Sequence, residues 1–199
     1  MEEDEQCNQA FGEDSFISTN CREDITHIKN NDPDVNNLTM RPYDGREVTD
    51  LAWTLLGRYI TNNTHLKEIS LDRCELTDEQ IISLFSGLRS STSLGWLDLD
   101  TNEFGIEGVR SMIPFLQNCP LSTLFMGRNT NINTECFEIL VSALDGKSIK
   151  ELYFYNNNIT DITALNRYNL PKLQTVNLNG NKGKDVSPYQ TYYRKKDPI

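Results

Sequence analysis

From residue 66 the chain reads LKEISLDRCEL, and from residue 94 it reads LGWLDLDTNEF. Both place apolar residues in the first, fourth, sixth and eleventh slots, with Cys or Asn in the ninth. The pattern begins at Leu66, Leu94, Leu121, Ile149 and Leu173, at spacings of 28, 27, 28 and 24 residues. The fourth and sixth slots hold Ile69/Leu71, Leu97/Leu99, Leu124/Met126, Leu152/Phe154 and Val176/Leu178; the ninth holds Cys74, Asn102, Asn129, Asn157 and Asn181. A degenerate unit precedes them, with Val35, Leu38 and Met40 in the apolar slots and Tyr43 in the ninth. The alternation predicts a short strand per unit, its fourth and sixth residues inward and its third, fifth and seventh outward. Where the chain turns, buried backbone groups need partners. One Asn side chain offers both an acceptor and donors there, so stacked copies predict a ladder between units. Cys74 takes the slot as a small residue with a weak S–H donor.

Helical spacing follows most strands. In TDEQIISLFSGL, Thr77 is the expected N-cap with Gln80 closing a capping box, and Ile81, Leu84 and Leu88 are expected inward. In EGVRSMIPFL the inward set is Val109, Met112 or Ile113, and Leu116, while Pro114 predicts a short or kinked helix. Phe137, Leu140 and Leu144 continue the pattern, and residues 46–59 are the return of the first unit with Leu51, Leu55 and Leu56 inward. Two units depart. The third carries one extra residue, so that Ile132 rather than Asn131 fills its eleventh slot and its turn should bulge. The fourth, NNNITDITALNRYNLPKL, has room for one or two helical turns, and curvature should flatten there.

Over residues 35–181 these units resemble the leucine-rich repeat L-x-x-L-x-L-x-x-N/C-x-L, and their length and helical returns resemble its ribonuclease-inhibitor-like class. The resemblance implies a right-handed α/β solenoid, a horseshoe with a parallel sheet on the concave face and helices on the convex face. Three regions follow: an acidic segment 1–30, partly disordered or capping through Phe11, Phe16, Ile17, Ile25 and Ile28; a domain of five to six repeats over 31–181; and a tail 182–199. Solenoid ends need cover, and Tyr189, Tyr192 and Tyr193 of the tail are the expected cap. Related repeat proteins typically bind other proteins as inhibitors, scaffolds, immune-type sensors or regulators of small GTPases.

The outward slots carry the candidate site. Trp96, Phe125, Tyr153 and Tyr155 fall on adjacent strands and predict one aromatic strip, flanked by Asp72, Asp98, Asp100 and Glu151. Two readings of the strip stand: aromatic anchors rimmed by charge, as in binding hot spots, or cross-strand packing of residues with high strand propensity. The first is carried forward. The acids read as recognition of a basic partner or, more simply, as a solvated face.

Charge narrows the partner. The 199 residues carry a net charge of -10 and a sequence pI near 4.7, which argues against nucleic acid, whose phosphates need clustered Lys and Arg. Residues 1–34 hold ten acids against two bases and residues 182–199 hold five bases against two acids, leaving -5 for the folded middle. The N-terminus lacks the basic and apolar regions of a signal peptide. No window approaches a membrane span. Five cysteines without a CxxC pair fit reduced thiols, so the expected location is the cytoplasm and the sequons at Asn37, Asn62 and Asn158 are incidental.

Catalytic motifs are missing from the sequence: there is no Gly-rich phosphate loop, no GxSxG and no HExxH. His27 and His65 read as surface or capping residues, and Cys119 and Cys136 as helix-packing residues rather than nucleophiles. Asp98 and Asp100 as an acid–base pair or weak metal site is the lesser reading. YYRKK in the tail reads as a charged terminus or a small basic docking element. The expectation is a monomeric, non-catalytic module without cofactor or metal that binds a protein on its concave face. The alternatives are GTPase activation or other regulation, and self-association of a repeat fragment.

Overall fold

The computed structural model describes residue 5 and residues 18–40 and 48–183. Six strands, β1 (Asn37–Thr39), β2 (Glu68–Ser70), β3 (Trp96–Asp98), β4 (Thr123–Phe125), β5 (Glu151–Tyr153) and β6 (Thr175–Asn177), pair in chain order as one parallel sheet. The register matches slot to slot, with Leu38, Ile69, Leu97, Leu124, Leu152 and Val176 lying side by side. All six are buried. Parallel strands need a crossover between them, and helices supply it: α1 (Thr19–Lys29) precedes the sheet, followed by α2 (Asp50–Asn62), α3 (Asp78–Gly87), α4 (Ile106–Ser111), α5 (Ile113–Gln117), α6 (Thr134–Ala143) and α7 (Ala164–Arg167).

The core is one layer between strands and helices. Ile81, Leu84 and Leu88 are buried as the spacing predicts, as are Val109, Met112 and Leu116 and then Phe137, Leu140 and Leu144. Thr77 and Gln80 close their capping box. The segment around Pro114 divides at Met112 into two short helices, the proline sitting in the first turn of the second, where its missing N–H is harmless. In α2 one residue is out of place. Leu51 is 39% exposed, and the inward face is built instead from Ala52, Trp53, Leu55, Leu56, Tyr59 and Ile60. Trp53 fills the first turn that Leu51 was expected to cover.

The ninth-slot ladder forms. Asn102 Nδ2 donates to the Leu71 and Leu99 carbonyls at 2.9 and 3.1 Å, and its amide N–H donates to Asn129 Oδ1 at 2.9 Å. Asn129 N–H donates to Asn157 Oδ1 at 2.8 Å, and Asn181 continues with Nδ2 to the Phe154 carbonyl at 2.7 Å and Oδ1 accepting from Ile159 N–H at 3.0 Å. Every amide thus ties one repeat to its neighbour through groups that burial would otherwise orphan. The slot before it is left-handed in all five units: Arg73, Thr101, Arg128, Asn156 and Gly180 have φ of 58°, 56°, 56°, 55° and 77°. In the third unit Asn131 is exposed and Ile132 is buried, so the extra residue is taken up in the turn. The fourth unit returns through the single turn of α7.

At the other end Cys21, Ile25 and Ile28 of α1 are buried. Asn63 joins this helix to the repeats, donating from Nδ2 to the Ile28 carbonyl at 3.0 Å while its Oδ1 accepts from His65 and Leu66 N–H at 2.8 and 2.7 Å. The expectations for Phe11, Phe16, Ile17, Tyr43 and the tail tyrosines lie outside the described residues.

Candidate functional site

Register arranges the outward side chains of β2–β6 in rows. The third-slot row runs Glu68, Trp96, Thr123, Glu151, Thr175, and the fifth-slot row Ser70, Asp98, Phe125, Tyr153, Asn177. Just past the strand ends the seventh slots are Asp72, Asp100, Gly127, Tyr155 and Asn179.

Three of the four predicted aromatics form a strip. Phe125 and Tyr153 are direct register partners, their ring centroids 4.2 Å apart and their planes within 2° of parallel. Neighbouring strands lie about 4.8 Å apart, so rings this close and parallel must stand upright on the sheet, faces together and edges toward solvent. Trp96 has Thr123 as its register partner and reaches Phe125 diagonally, at 5.2 Å and 53°. Tilted and stacked pairs of this kind are each favourable by about 0.5–1.5 kcal/mol beyond the area they bury. All three rings are half-buried.

Tyr155 and Asp100 do something else, and here the expectation of an exposed acid is corrected: Asp100 is buried, while Tyr155 is half-buried like the other three rings. The Tyr155 ring lies over Gly127, where a Cβ would come within 2.5 Å of the ring. Its hydroxyl donates to the Asp100 carboxylate two repeats away, and the Arg128 guanidinium lies 5.6 Å from the ring centroid. The other Asp100 oxygen accepts the Gly127 N–H at 2.5 Å. Asp100 is only 6% exposed. A glycine in an outward slot leaves a gap, and the tyrosine reaches across it. That glycine, placed between an acid and a tyrosine in the same row, was the signal in the sequence.

Burial raises the Asp100 carboxyl to about 6, with nearby Asp98 and Asp72 adding to the rise and the hydrogen bonds from Tyr155 and Gly127 opposing it. The Tyr155 phenol is raised by burial and by its bond to Asp100. Asp98 stays half-buried on the strand face, and burial lifts its carboxyl too; Asp72 adds to the lift, while hydrogen bonds from the Asp100 N–H at 2.9 Å and the Ser70 hydroxyl at 3.4 Å oppose it. Asp72 lies 3.5 Å from Arg73 Nε. Glu151 accepts weakly from Thr123 and Tyr153 hydroxyls at 3.4 and 3.5 Å.

Beyond the strand ends, Arg73, Glu75, Thr101, Asn102, Glu103, Arg128 and Thr130 line an open pocket of about 330 Å³. It holds charges of both signs. On the helix side burial pushes the Cys119 thiol up to about 12 and raises Cys136 as well, the reverse of what a nucleophilic thiolate needs. Among the described residues no group of three His, Cys, Asp or Glu is placed to hold a metal ion. No helix among them is long and apolar enough to cross a membrane.

Six in-register parallel strands, helical returns and a buried asparagine ladder define the leucine-rich repeat fold, an α/β solenoid similar to the ribonuclease-inhibitor-like class. Residues 147–190 match the family model described as Leucine Rich repeats (2 copies). Over 122 residues, 58% of the chain, the sequence is 30% identical to ribonuclease inhibitor from Sus scrofa, and it spans 25% of that protein's length. Among solved structures it is similar to the leiomodin-1 actin-binding site 2, with TM-score 0.57 and 16% identity over 75% of this chain and 84% of that one. It is also similar to a tropomodulin C-terminal domain from Caenorhabditis elegans structural genomics, with TM-score 0.54 and 16% identity over 75% and 89% of the two chains. At 16% identity these two likenesses are of fold. Leucine-rich repeats generally mediate protein–protein interaction, and the ribonuclease-inhibitor-like ones are typically non-catalytic.

Proposed function

We propose that this chain is a non-catalytic interaction module that binds a protein with a basic surface on its strand face, acting as a monomer in the cytoplasm. The observation that carries the reading is the Trp96–Phe125–Tyr153 strip. Three large rings stand partly exposed side by side on the sheet, Phe125 and Tyr153 stacked and Trp96 tilted against them, and large aromatics clustered with charges beside them resemble binding hot spots. Charge supports the partner's sign. Among the described residues the outward slots of β2, β3 and β5 hold Glu68, Asp72, Asp98, Asp100 and Glu151, and no outward slot holds Lys or Arg; Arg41, in the seventh slot of the first unit by sequence, lies outside the described residues. The names of the relatives fit the same class: one is an inhibitor of ribonuclease, itself a protein, and one is an actin-binding site.

Capture from native lysate by the wild-type protein and by a Trp96→Ala/Tyr153→Ala variant tests the reading, with circular dichroism confirming that the variant folds. A protein held by the wild type and lost by the variant is the expected result. Equal capture by both moves binding to the helix side and leaves the strip as strand packing.

A further inference from the structure

The strip is not symmetric. Its Tyr153 end meets neutral β6, where Thr175 and Asn177 face outward, while its Trp96 end meets β2, where the outward residues are Glu68 and Ser70 followed by Asp72. Ser70 is small and leaves a notch. Around it stand Asp98 and Thr39, its register partners on β3 and β1; Glu68, two residues back on the same strand and in register with Trp96; and Asp72, two residues on. Asp72 already has Arg73 beside it. Among the described residues neither Glu68 nor Asp98 has an ion pair; Asp98 has its hydrogen bonds, with Arg73 beside Asp72 as the nearby cation that favours its charged form. Two bases of the helix face are engaged elsewhere, Arg110 with Glu107 and Glu135 and Arg167 with Glu138.

Resting on the reading that the strand face binds a protein, we propose that the notch over Ser70 receives an arginine side chain of the partner, between Trp96 and the carboxylates of Glu68 and Asp98, while an apolar residue of the same segment covers Phe125 and Tyr153. Arginine fits better than lysine. Its planar head stacks on an indole and forks toward two acceptors at once, and diagonal neighbours such as Glu68 and Asp98 are about 7–8 Å apart on a sheet. An arriving cation also favours the charged form of Asp98, against the burial that now raises its carboxyl. From β2 to the Phe125–Tyr153 pair is two to three strand spacings, about 10–14 Å, which three or four residues of extended chain cover.

The test uses a random peptide library displayed on phage, selected on the full chain and counter-selected on Trp96→Ala/Tyr153→Ala. Selected peptides are then titrated against wild type and Glu68→Gln/Asp98→Asn. Those substitutions keep an acceptor oxygen for the Asp100 N–H, and melting curves check the fold. The expected peptides carry Arg three or four residues from an apolar side chain. Peptide Arg→Gln and protein Glu68→Gln/Asp98→Asn should each weaken binding about tenfold, the two together little further, with affinity falling as salt rises. Peptides lost on Trp96→Ala/Tyr153→Ala but indifferent to Glu68→Gln/Asp98→Asn overturn the arginine notch and leave strand-face binding standing. Peptides indifferent to both variants, or no enrichment on the wild type, overturn both.

Discussion

The Tyr155 hydroxyl donates to the buried Asp100 carboxylate across the whole width of one repeat, its ring lying on Gly127. Three repeats are thereby fastened by one side chain at the rim of the strand face. The pair separates two kinds of aromatic residue on the sheet: Tyr155 reaches across a repeat to a buried carboxylate, while Trp96, Phe125 and Tyr153 pack ring to ring along the strand face.

Tyr155→Phe should destabilise the protein by about 1–3 kcal/mol, because it leaves a buried carboxylate oxygen without its donor. Urea unfolding at neutral pH measures it. Gly127→Ala should act in the same direction, since its Cβ and the ring cannot both keep their places.

Asp100 gives stability a pH dependence. Its folded-state value, about 6, lies above the ordinary aspartate value near 3.8, so between the two the folded state binds more protons than the unfolded. Stability contributed by this group is full below about pH 4 and declines as pH rises to about 6. At roughly 1.4 kcal/mol per unit of pH the decline is bounded near 3 kcal/mol. Asp100→Asn should flatten that part of the curve in chemical denaturation from pH 4 to pH 7, whereas Glu151→Gln should leave it in place.

Helices α2 and α3 meet glycine to backbone. A Cβ on Gly57 would come within 2.2 Å of the Leu84 carbonyl oxygen, and one on Gly87 within 2.1 Å of the Thr54 carbonyl oxygen. Neither neighbour is a side chain that can swing away. Gly57→Ala or Gly87→Ala should therefore cost about 3 kcal/mol, at the upper end for overpacking, and differential scanning calorimetry should show it as a lowered Tm.

Thr101 holds a left-handed conformation at φ 56° that suits a β-branched residue poorly. Thr101→Gly should stabilise by about 1 kcal/mol, less the extra chain entropy glycine loses on folding. Asn129→Ala, one unit further along the ladder, should do the opposite, by about 1–3 kcal/mol, because it strands the Asn102 N–H and takes away one of the two donors to the Leu99 carbonyl.

The repeat was legible because each slot does one physical job. Ile69, Leu97, Leu124, Leu152 and Val176 all point inward from a strand, and Asn102, Asn129, Asn157 and Asn181 all bridge a turn, so residue type tracks role. The eighth slot was not legible. Arg73, Thr101, Arg128, Asn156 and Gly180 share a left-handed φ but no chemistry, because the turn constrains their backbone and leaves their side chains free. Leu51 was misplaced because 51, 55 and 56 fit a helical face as well as 52, 53 and 56 do; the bulk of Trp53 decides the phase. Of the site, the Trp96–Phe125–Tyr153 strip followed from alternation alone. The turn of Tyr155 toward Asp100 depended on a missing side chain at Gly127, which a residue-by-residue reading of outward slots passes over.

Hydrogen exchange of the chain, alone and with a captured partner, locates binding most directly. Slower exchange on complex formation is expected in segments 94–101, 121–128 and 149–156, with Glu68→Gln/Asp98→Asn reducing the protection. Protection confined to α2, α3 and α6, with the strand segments unchanged, would contradict binding on the strand face.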